Sequence, residues 1–174
     1  MLELSRASGS DLRIDRFPLE VDEMVRSVVE SLTPTARERR QTIIINSKTS
    51  GVWISADRDR LVQVLSNLIT NACKYSPDRS SIEIHTYSDG GSLEIKVIDN
   101  GYGMSEEDLQ MLFSPFFRSD REEIRNESGT GLGMTISKTL VELHNGEISV
   151  ESKMGGGTIV QIQLPGVVDR PSSD

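Results

Sequence analysis

The sequence predicts a two-layer α/β sandwich, in which a mixed, mostly antiparallel sheet carries about three helices on one face. Segments that alternate between apolar and polar residues, as strands do, occur mainly as neighbouring pairs along the chain. Only a few segments show helical periodicity, and the 174 residues suit one domain with a full hydrophobic core.

The first elements are a short strand within residues 11–17 and a helix over residues 19–39. The apolar residues of this helix recur in steps of three and four, which forms a single stripe. Pro34 has no backbone N–H and predicts a kink or a new start near the end of the helix. Two extended segments, 42–46 and 52–56, follow as strands.

The middle of the chain predicts a second helix and a hairpin. Asp57 is a favourable N-cap, and a second apolar stripe follows it until Pro77 ends the helix. Residues 81–87 and 92–99 alternate clearly and flank the turn sequence 88–91, which is typical of a β-hairpin.

The last third of the chain contains a long polar segment between predicted elements. Ser105, followed by three acidic residues, predicts a helix start. Residues 113–130 are rich in charge and poor in core candidates, so we expect a long mobile loop that acts as a lid. A helix over 132–144 and a hairpin of 147–152 with 158–164 complete the pattern. We therefore place one domain at 11–165, a separate segment at 1–10 and a disordered tail at 166–174.

The composition limits the classes of partner. The formal net charge is −8 and the pI about 4.9, which argues against nucleic acid because phosphates select basic faces. A nucleotide is not excluded, since backbone N–H groups, one or two cations and Mg²⁺ can hold it. Cys73 is the only cysteine, so no internal disulfide is possible, which fits a reducing compartment. No stretch reaches the about 18 apolar residues of a membrane span.

A first polar cluster lies on the second predicted helix. Asn67 and Asn71 are four residues apart, and Asn71 and Lys74 are three apart, so they share a face. Amide oxygens are hard neutral ligands suited to Mg²⁺, and the ammonium of Lys74 adds a charge for phosphate. The same residues also fit a solvated helix face without a ligand.

A second cluster follows a predicted strand. Asp99 ends the strand, and Gly101, Gly103 and Met104 come directly after it. A carboxylate can accept a hydrogen bond from a base edge such as the exocyclic amine of adenine, which contributes roughly 1.5–3 kcal/mol. The glycines let the backbone approach the ring. The alternative is an ordinary turn after a strand.

Two further clusters surround the lid. Glycines at 129, 131 and 133 open the last helix, where backbone N–H groups and the macrodipole attract an anion. The pattern is not the dinucleotide fingerprint, because no parallel strand–turn–helix unit surrounds it, and no Lys-Ser or Lys-Thr follows as in a Walker loop. Residues 113–118 offer phenylalanines that can anchor the lid and a cation, Arg118, for phosphate. The alternative is a hydrophobic anchor beside a solvated Arg118.

Taken together and in this order, the four clusters resemble the histidine-kinase branch of the family that includes gyrase-type ATPases, mismatch-repair ATPases and a heat-shock chaperone. The matching motifs are an asparagine box (67–75), a first glycine box (99–104), a phenylalanine box (113–118) and a second glycine box (129–134). The glycine turn at 155–158 also matches, so the resemblance covers roughly residues 14–164.

The resemblance implies a Bergerat ATP-binding fold with ATP and Mg²⁺ bound between the helices and the lid. It implies that Asn71 binds the metal, that Asp99 accepts from the adenine amine, and that the catalytic residues are Asn67, Lys74 and Arg118. The full nucleotide-binding set that it implies is Asn67, Asn71, Lys74, Tyr75, Asp99, Gly101, Gly103, Met104, Phe116, Arg118, Gly129, Thr130, Gly131, Leu132, Gly133, Met134 and Thr158.

The residue one helical turn before the metal ligand separates branches of this family. Gyrase-type members that hydrolyse ATP place a glutamate there as the base for water, and this chain has Asn67. An amide cannot accept the proton, which favours phosphotransfer over hydrolysis.

The histidine that accepts phosphate in such kinases lies on a separate dimerisation domain. His85 lies in an alternating strand and His144 ends a helix, where a cation suits the dipole, so we expect neither to be the acceptor. Residues 1–10 resemble the end of a dimerisation helix with its linker, which places the acceptor upstream.

The resemblance therefore implies a two-component sensor histidine kinase. Its partners would be the histidine-containing dimerisation domain of the same protein and a downstream response regulator, with no nucleic acid. We expect this fragment to be monomeric and cytoplasmic, and its parent to be a homodimer whose membrane anchor, if present, lies outside this chain. The alternatives are a serine kinase of the anti-sigma type and a degenerate nucleotide-binding regulatory module on the same fold. Degeneration would remove the asparagine or the glycines, which are all present, and residues 1–10 speak against the serine kinase.

Overall fold

A computed structural model of the chain describes residues 13–121, 124, 127 and 129–171. The segment expected to be a dimerisation-helix remnant, residues 1–10, lies outside these ranges, as do residues 172–174 and part of the lid. The helices of the described residues are α1 (Val21–Glu38), α2 (Arg58–Lys74), α3 (Glu106–Met111) and α4 (Gly133–Leu143). The strands are β1 (Phe17–Glu20), β2 (Thr42–Lys48), β3 (Trp53–Ala56), β4 (Ser81–Ser88), β5 (Ser92–Asp99), β6 (Glu147–Ser152), β7 (Thr158–Pro165) and β8 (Val167–Val168).

A five-stranded mixed sheet forms one layer, in the order β2-β4-β5-β7-β6. Only β2 and β4 run parallel, and the other neighbours are antiparallel. Alternate residues of β4 and β5, such as Ile82, Ile84 and Ile95, are buried on one face. The predicted fold class and the predicted hairpins are confirmed.

Three helices form the second layer on the buried face of this sheet. α2 lies between α1 and α4 and contacts both, while α1 packs on β2 and α4 on β6. The apolar stripe of α2 supplies fully buried side chains such as Val64, Leu65 and Leu68 to the core. The predicted N-caps are present, since Asp57 Oδ1 accepts from Arg60 N and Ser105 Oγ accepts from Asp108 N.

The structure contains a second, three-stranded antiparallel sheet in the order β1-β3-β8. Because of this sheet, the expected bounds of the first strand and of the tail are both wrong. The first strand is Phe17–Glu20 rather than a strand within 11–17, because Leu19 pairs with Ile54 of β3. The tail does not begin at residue 166, because Val167 also pairs with Ile54, across the other edge of β3. Both strands depend on β3, which is distant in sequence.

Pro34 does not end α1 and no new helix starts there, so that part of the expectation is wrong. The helix runs without a break through Pro34 to Glu38. Val28 and Val29 are buried before the proline, and Ala36 is buried after it. Core packing on both sides therefore outweighs the loss of one hydrogen bond on the exposed face.

The two histidines lie in or directly beside regular secondary structure. His85 lies within β4 as expected. His144 is buried, with Nδ1 2.7 Å from the carbonyl of Leu140 and Nε2 3.0 Å from the backbone N of Asp57. Both ring nitrogens are therefore engaged by the backbone, at the end of α4 and at the N-cap of α2. Asn145 follows with φ 59°, in the left-handed region that commonly ends a helix.

Candidate functional site

A cavity of about 260 Å³ opens between α2, α4, the end of β5 and the described part of the lid. It brings together residues from all four predicted motifs. The predicted residues that line it are Asn67, Asn71, Lys74, Tyr75, Asp99, Gly103, Met104, Arg118, Gly129, Thr130, Gly131, Gly133, Met134 and Thr158.

The polar face of α2 forms one wall of this cavity. The residues of this wall are Asn67, Leu68, Asn71, Ala72 and Lys74. The apolar residues beside them on the helix are buried in the core. The Nδ2 group of Asn67 donates to Ser137 Oγ of α4 at 2.9 Å. This hydrogen bond uses the amide of Asn67 to join α2 to α4. No described residue forms a hydrogen bond with the side chain of Asn71. Asn71 is therefore the amide that can serve a ligand.

Asp99 is held at the end of β5 by two backbone donors. Its Oδ1 accepts from Gly101 N at 2.8 Å and from Thr158 N at 3.2 Å. The residue is only 8% exposed, and burial raises the pKa of its carboxyl to about 6, although both hydrogen bonds favour the ionised form. Among the described residues, none donates to Oδ2, so this oxygen is available to a ligand in the cavity.

The end of α2 and the first glycine box are built against each other. Tyr102 N donates to the carbonyl of Tyr75 at 3.0 Å. A Cβ on Gly101 would lie 2.2 Å from that same carbonyl oxygen, so only glycine permits this approach. Burial raises the pKa of the Tyr75 phenol, opposed by the nearby Arg118. The tyrosine ring therefore remains a neutral, largely desolvated wall of the cavity.

The second glycine box fits closely against α2 and the phenylalanine box. A Cβ on Gly133 would lie 2.2 Å from Asn67 Oδ1, and one on Gly131 would lie 2.6 Å from the backbone carbon of Phe116. Gly131 also has φ 73°, which favours glycine. These contacts bring the N-terminus of the eleven-residue helix α4 to the cavity, where its free N–H groups suit an anion.

Three of the predicted residues do not line the cavity. Gly101 supports it from behind, through its contact with Tyr75. Phe116 is 62% exposed, with φ 63°, and its backbone N donates to Gly131 O, so Phe117 lines the cavity in its place. Leu132 is the N-cap residue of α4. In each case the backbone rather than the side chain contributes to the site.

Arg118 reaches the cavity but is already engaged by the lid. Its Nη2 donates to the backbone carbonyl of Glu127. Arg121 Nη1 donates to Gly103 O at 2.8 Å, and Ile124 is buried and lines the cavity. The described lid residues therefore contact both glycine boxes in this structure.

Several lining residues were not predicted from the sequence, and most of them are apolar: Leu68, Ala72, Val97, Leu112, Phe117, Ile124 and Val160, with the polar Asp108 and Ser119. Strand alternation was a usable signal for two of them. Val97 lies two residues before Asp99 and therefore on the same face, and Val160 is its cross-strand partner on β7. No local signal distinguished Phe117 from Phe116.

An α/β sandwich with these motifs converging on one cavity defines a nucleotide-binding domain. The chain belongs to the family of histidine kinase-, DNA gyrase B- and HSP90-like ATPases, whose model matches residues 56–167. Within this family it is a catalytic ATPase domain of the two-component sensor histidine kinase type.

Known sensor kinases resemble it over nearly its whole length. It is 34% identical over 172 residues to the sensor-like histidine kinase SenX3 of Mycolicibacterium smegmatis, covering 99% of this chain and 44% of that protein. It is 31% identical over 167 residues to the sensor histidine kinase WalK of Bacillus subtilis, covering 95% of this chain and 27% of that protein. The chain thus spans less than half the length of these relatives.

Solved structures share the fold. Full-length ShkA in complex with AMPPNP superposes with a TM-score of 0.85 at 25% identity, over 98% of this chain and 35% of that one. The nucleotide-free catalytic domain of histidine kinase ThkA gives a TM-score of 0.76 at 25% identity, over 87% of this chain and 96% of that one. Among the described residues of our chain, no helix is long and apolar enough to cross a membrane.

Proposed function

We propose that this domain binds Mg-ATP and positions its γ-phosphate for transfer to a histidine of a dimerisation domain in the same protein. The observation that carries this proposal is the convergence of Asp99, Asn71, Lys74 and the N-terminus of α4 on one cavity. The complex of ShkA with AMPPNP, an ATP analogue, supports it.

Asp99 selects adenine in this proposal. Its Oδ1 is occupied by two backbone N–H groups, which leaves Oδ2 to accept from the exocyclic amine of the base. Val97 and Val160 lie beside it and offer an apolar surface for the ring. A guanine presents a carbonyl at the corresponding position, which a carboxylate repels.

Asn71 and Lys74 face the phosphates. No described group of three His, Cys, Asp or Glu residues is placed to hold a metal, so Mg²⁺ would be bound mainly by phosphate oxygens and water. The amide oxygen of Asn71 fits such a site as its protein ligand. Mg²⁺ would neutralise phosphate charge when bound, and Lys74 and the N–H groups of α4 would supply the remaining positive potential.

Asn67 accounts for the preference for transfer over hydrolysis. Its Nδ2 donates to Ser137, and an amide cannot take a proton from water. In this proposal the domain positions ATP and stabilises the charge of its phosphates, but Asn67 provides no base that could activate water. The γ-phosphate is therefore transferred only when a nucleophile enters in line with it. The buried His144 cannot be that nucleophile, because both of its nitrogens are hydrogen-bonded.

A response regulator would receive the phosphate from the histidine. A structure of ThkA in complex with the response regulator TrrA shows the same fold as this chain, with a TM-score of 0.78 at 22% identity. We infer the same pairing for the parent of this domain, with the domain itself in the cytoplasm.

The test uses ATP labelled on the γ-phosphate. We expect the 174-residue chain alone to bind ATP, to acquire no stable label and to release little phosphate. Addition of the histidine-containing dimerisation domain as a separate polypeptide should label that domain, and Asn71→Ala should abolish the label. Stable label on the chain alone, or rapid phosphate release without the partner, would refute the proposal. Acid-stable label on a serine of a partner would instead identify a serine kinase.

A further inference from the structure

Arg39 joins the end of α2 to the lid. Its Nη1 donates to the carbonyl of Lys74 at 3.1 Å and reaches that of Cys73 at 3.5 Å. Its Nη2 forms a 2.6 Å ion pair with Oε1 of Glu127. The two side chains are 33% and 21% exposed, so solvent screens this pair only in part. One guanidinium therefore bonds two segments that both border the cavity.

The helix end that Arg39 contacts carries two residues of the site. Helix C-termini leave carbonyl groups without intrahelical partners, and a cation there is favourable. Gln41 Nε2 bonds the neighbouring carbonyls of Ser76 and Pro77 and shares that of Cys73. Arg39 and Gln41 together hold the turn from which Lys74 and Tyr75 enter the cavity.

The lid residue that Arg39 contacts is bonded on its other side to Arg118. The backbone carbonyl of Glu127 accepts from Arg118 Nη2, and its backbone N donates to Ile124 O at 3.0 Å. Both Arg118 and Ile124 line the cavity. The position of Glu127 therefore affects the position of two lining residues.

We propose that Arg39 is a positioning residue for the nucleotide, which acts through its simultaneous bonds to the end of α2 and to Glu127. It does not line the cavity and is not expected to touch ATP. This inference rests on the proposed function, because the ligand that benefits is the nucleotide. Without the ion pair, Glu127 and Arg118 would have to become ordered when the nucleotide binds. The free-energy cost of this ordering would lower the affinity for the nucleotide.

The experiment is a double-mutant cycle of Arg39→Gln and Glu127→Gln, with Arg37→Gln and Glu151→Gln as controls. Arg37 and Glu151 are exposed, so their replacement removes the same charges elsewhere on the surface. Calorimetric titration with a non-hydrolysable ATP analogue and Mg²⁺ gives the dissociation constant of each variant. Amide exchange at Ile124 and Glu127 in the nucleotide-free protein reports the ion pair without any ligand, and thermal midpoints report folding.

Each single change should weaken binding about three- to tenfold, and the double variant should be no weaker than the weaker single one. Glu127→Gln should leave the thermal midpoint within about 2 °C of the wild type, since a partly exposed pair contributes little to folding. Both changes should accelerate amide exchange at Ile124 and Glu127, and the controls should not.

Two results would overturn the inference while the proposed function stands. One is normal binding and unchanged exchange in Glu127→Gln. The other is a double variant whose loss equals the product of the single losses, which would give Arg39 a purely structural role. Failure of the wild type to bind the analogue would overturn the proposed function as well, and the exchange data would still decide whether the ion pair orders Glu127.

Discussion

Replacement of Asp99 by asparagine should move nucleotide binding and folding in opposite directions. In the wild type, Oδ1 accepts from the backbone N–H groups of Gly101 and Thr158. An asparagine keeps both bonds only if its carbonyl oxygen takes the Oδ1 position. Its NH₂ group then lies where Oδ2 was, so a donor faces the adenine amine, which is also a donor.

The loss of binding follows from the bond that disappears. A hydrogen bond to a charged acceptor contributes about 1.5–3 kcal/mol, which corresponds to roughly 10- to 150-fold in the dissociation constant. The unpaired donor adds to this cost, so we expect an effect at the upper end of the range.

The gain in stability follows from the raised pKa of Asp99. The carboxyl has a pKa of about 6 in the folded protein against an ordinary value of 3.8, because burial disfavours the charged form. The folded state therefore binds its proton more tightly than the unfolded state, and stability falls as the pH rises from about 4 to about 6. Two pKa units at about 1.4 kcal/mol each give a cost on the order of 3 kcal/mol above pH 6. The asparagine of the Asp99→Asn variant would carry no charge and would avoid this cost.

Calorimetry and thermal denaturation measure the two effects separately. At pH 7.5 the nucleotide-free Asp99→Asn variant should be at least as stable as the wild type, and this advantage should vanish near pH 4. Its affinity for an ATP analogue should fall, while Asp169→Asn, at an exposed position, should change neither property. Unchanged ATP affinity in Asp99→Asn, or equal affinity of the wild type for ATP and GTP, would refute the assignment of Asp99.

Three further predictions concern the other walls of the cavity. Gly103 and Gly155 both have positive φ, but a Cβ on Gly103 would lie 1.9 Å from Lys153 O, whereas one on Gly155 meets nothing within 4 Å. In urea denaturation, Gly155→Ala should cost about 1 kcal/mol and Gly103→Ala at least about 2 kcal/mol more; equal costs would contradict the steric argument. Asn71→Ala should remove the dependence of ATP affinity on Mg²⁺ with little change in thermal midpoint, and a wild type indifferent to chelator would exclude the metal site. Amide exchange at Ile124 should slow when the analogue is added, and identical exchange would remove the lid role while leaving the binding site intact.

The elements that the sequence predicted correctly depend on contacts between near neighbours. The N-caps at Asp57 and Ser105 each satisfy a backbone N–H three residues later. The expectations that failed depend on distant partners. β1 and β8 exist because both pair with β3, and α1 continues through Pro34 because Ala36 is buried against the core.

The predictions for the site also differ according to whether they depend on near or on distant residues. Helical spacing predicted a shared face for Asn67, Asn71 and Lys74, and these residues line the same cavity as Asp99, which ends a strand. The choice between Phe116 and Phe117 was not predictable, because it depends on the positive φ of Phe116 and on its contact with Gly131.

The sequence by itself determined which groups this domain can offer to a ligand, namely the amides, the carboxylate and the glycines, and their order along the chain. Only the tertiary structure decided which of these groups meet and what holds them. Arg39 and Glu127 are 88 residues apart, and each is an ordinary charged residue in its own segment. Their contact depends on how α1, α2 and the lid pack together, and periodicity carries no information about contacts between separate elements.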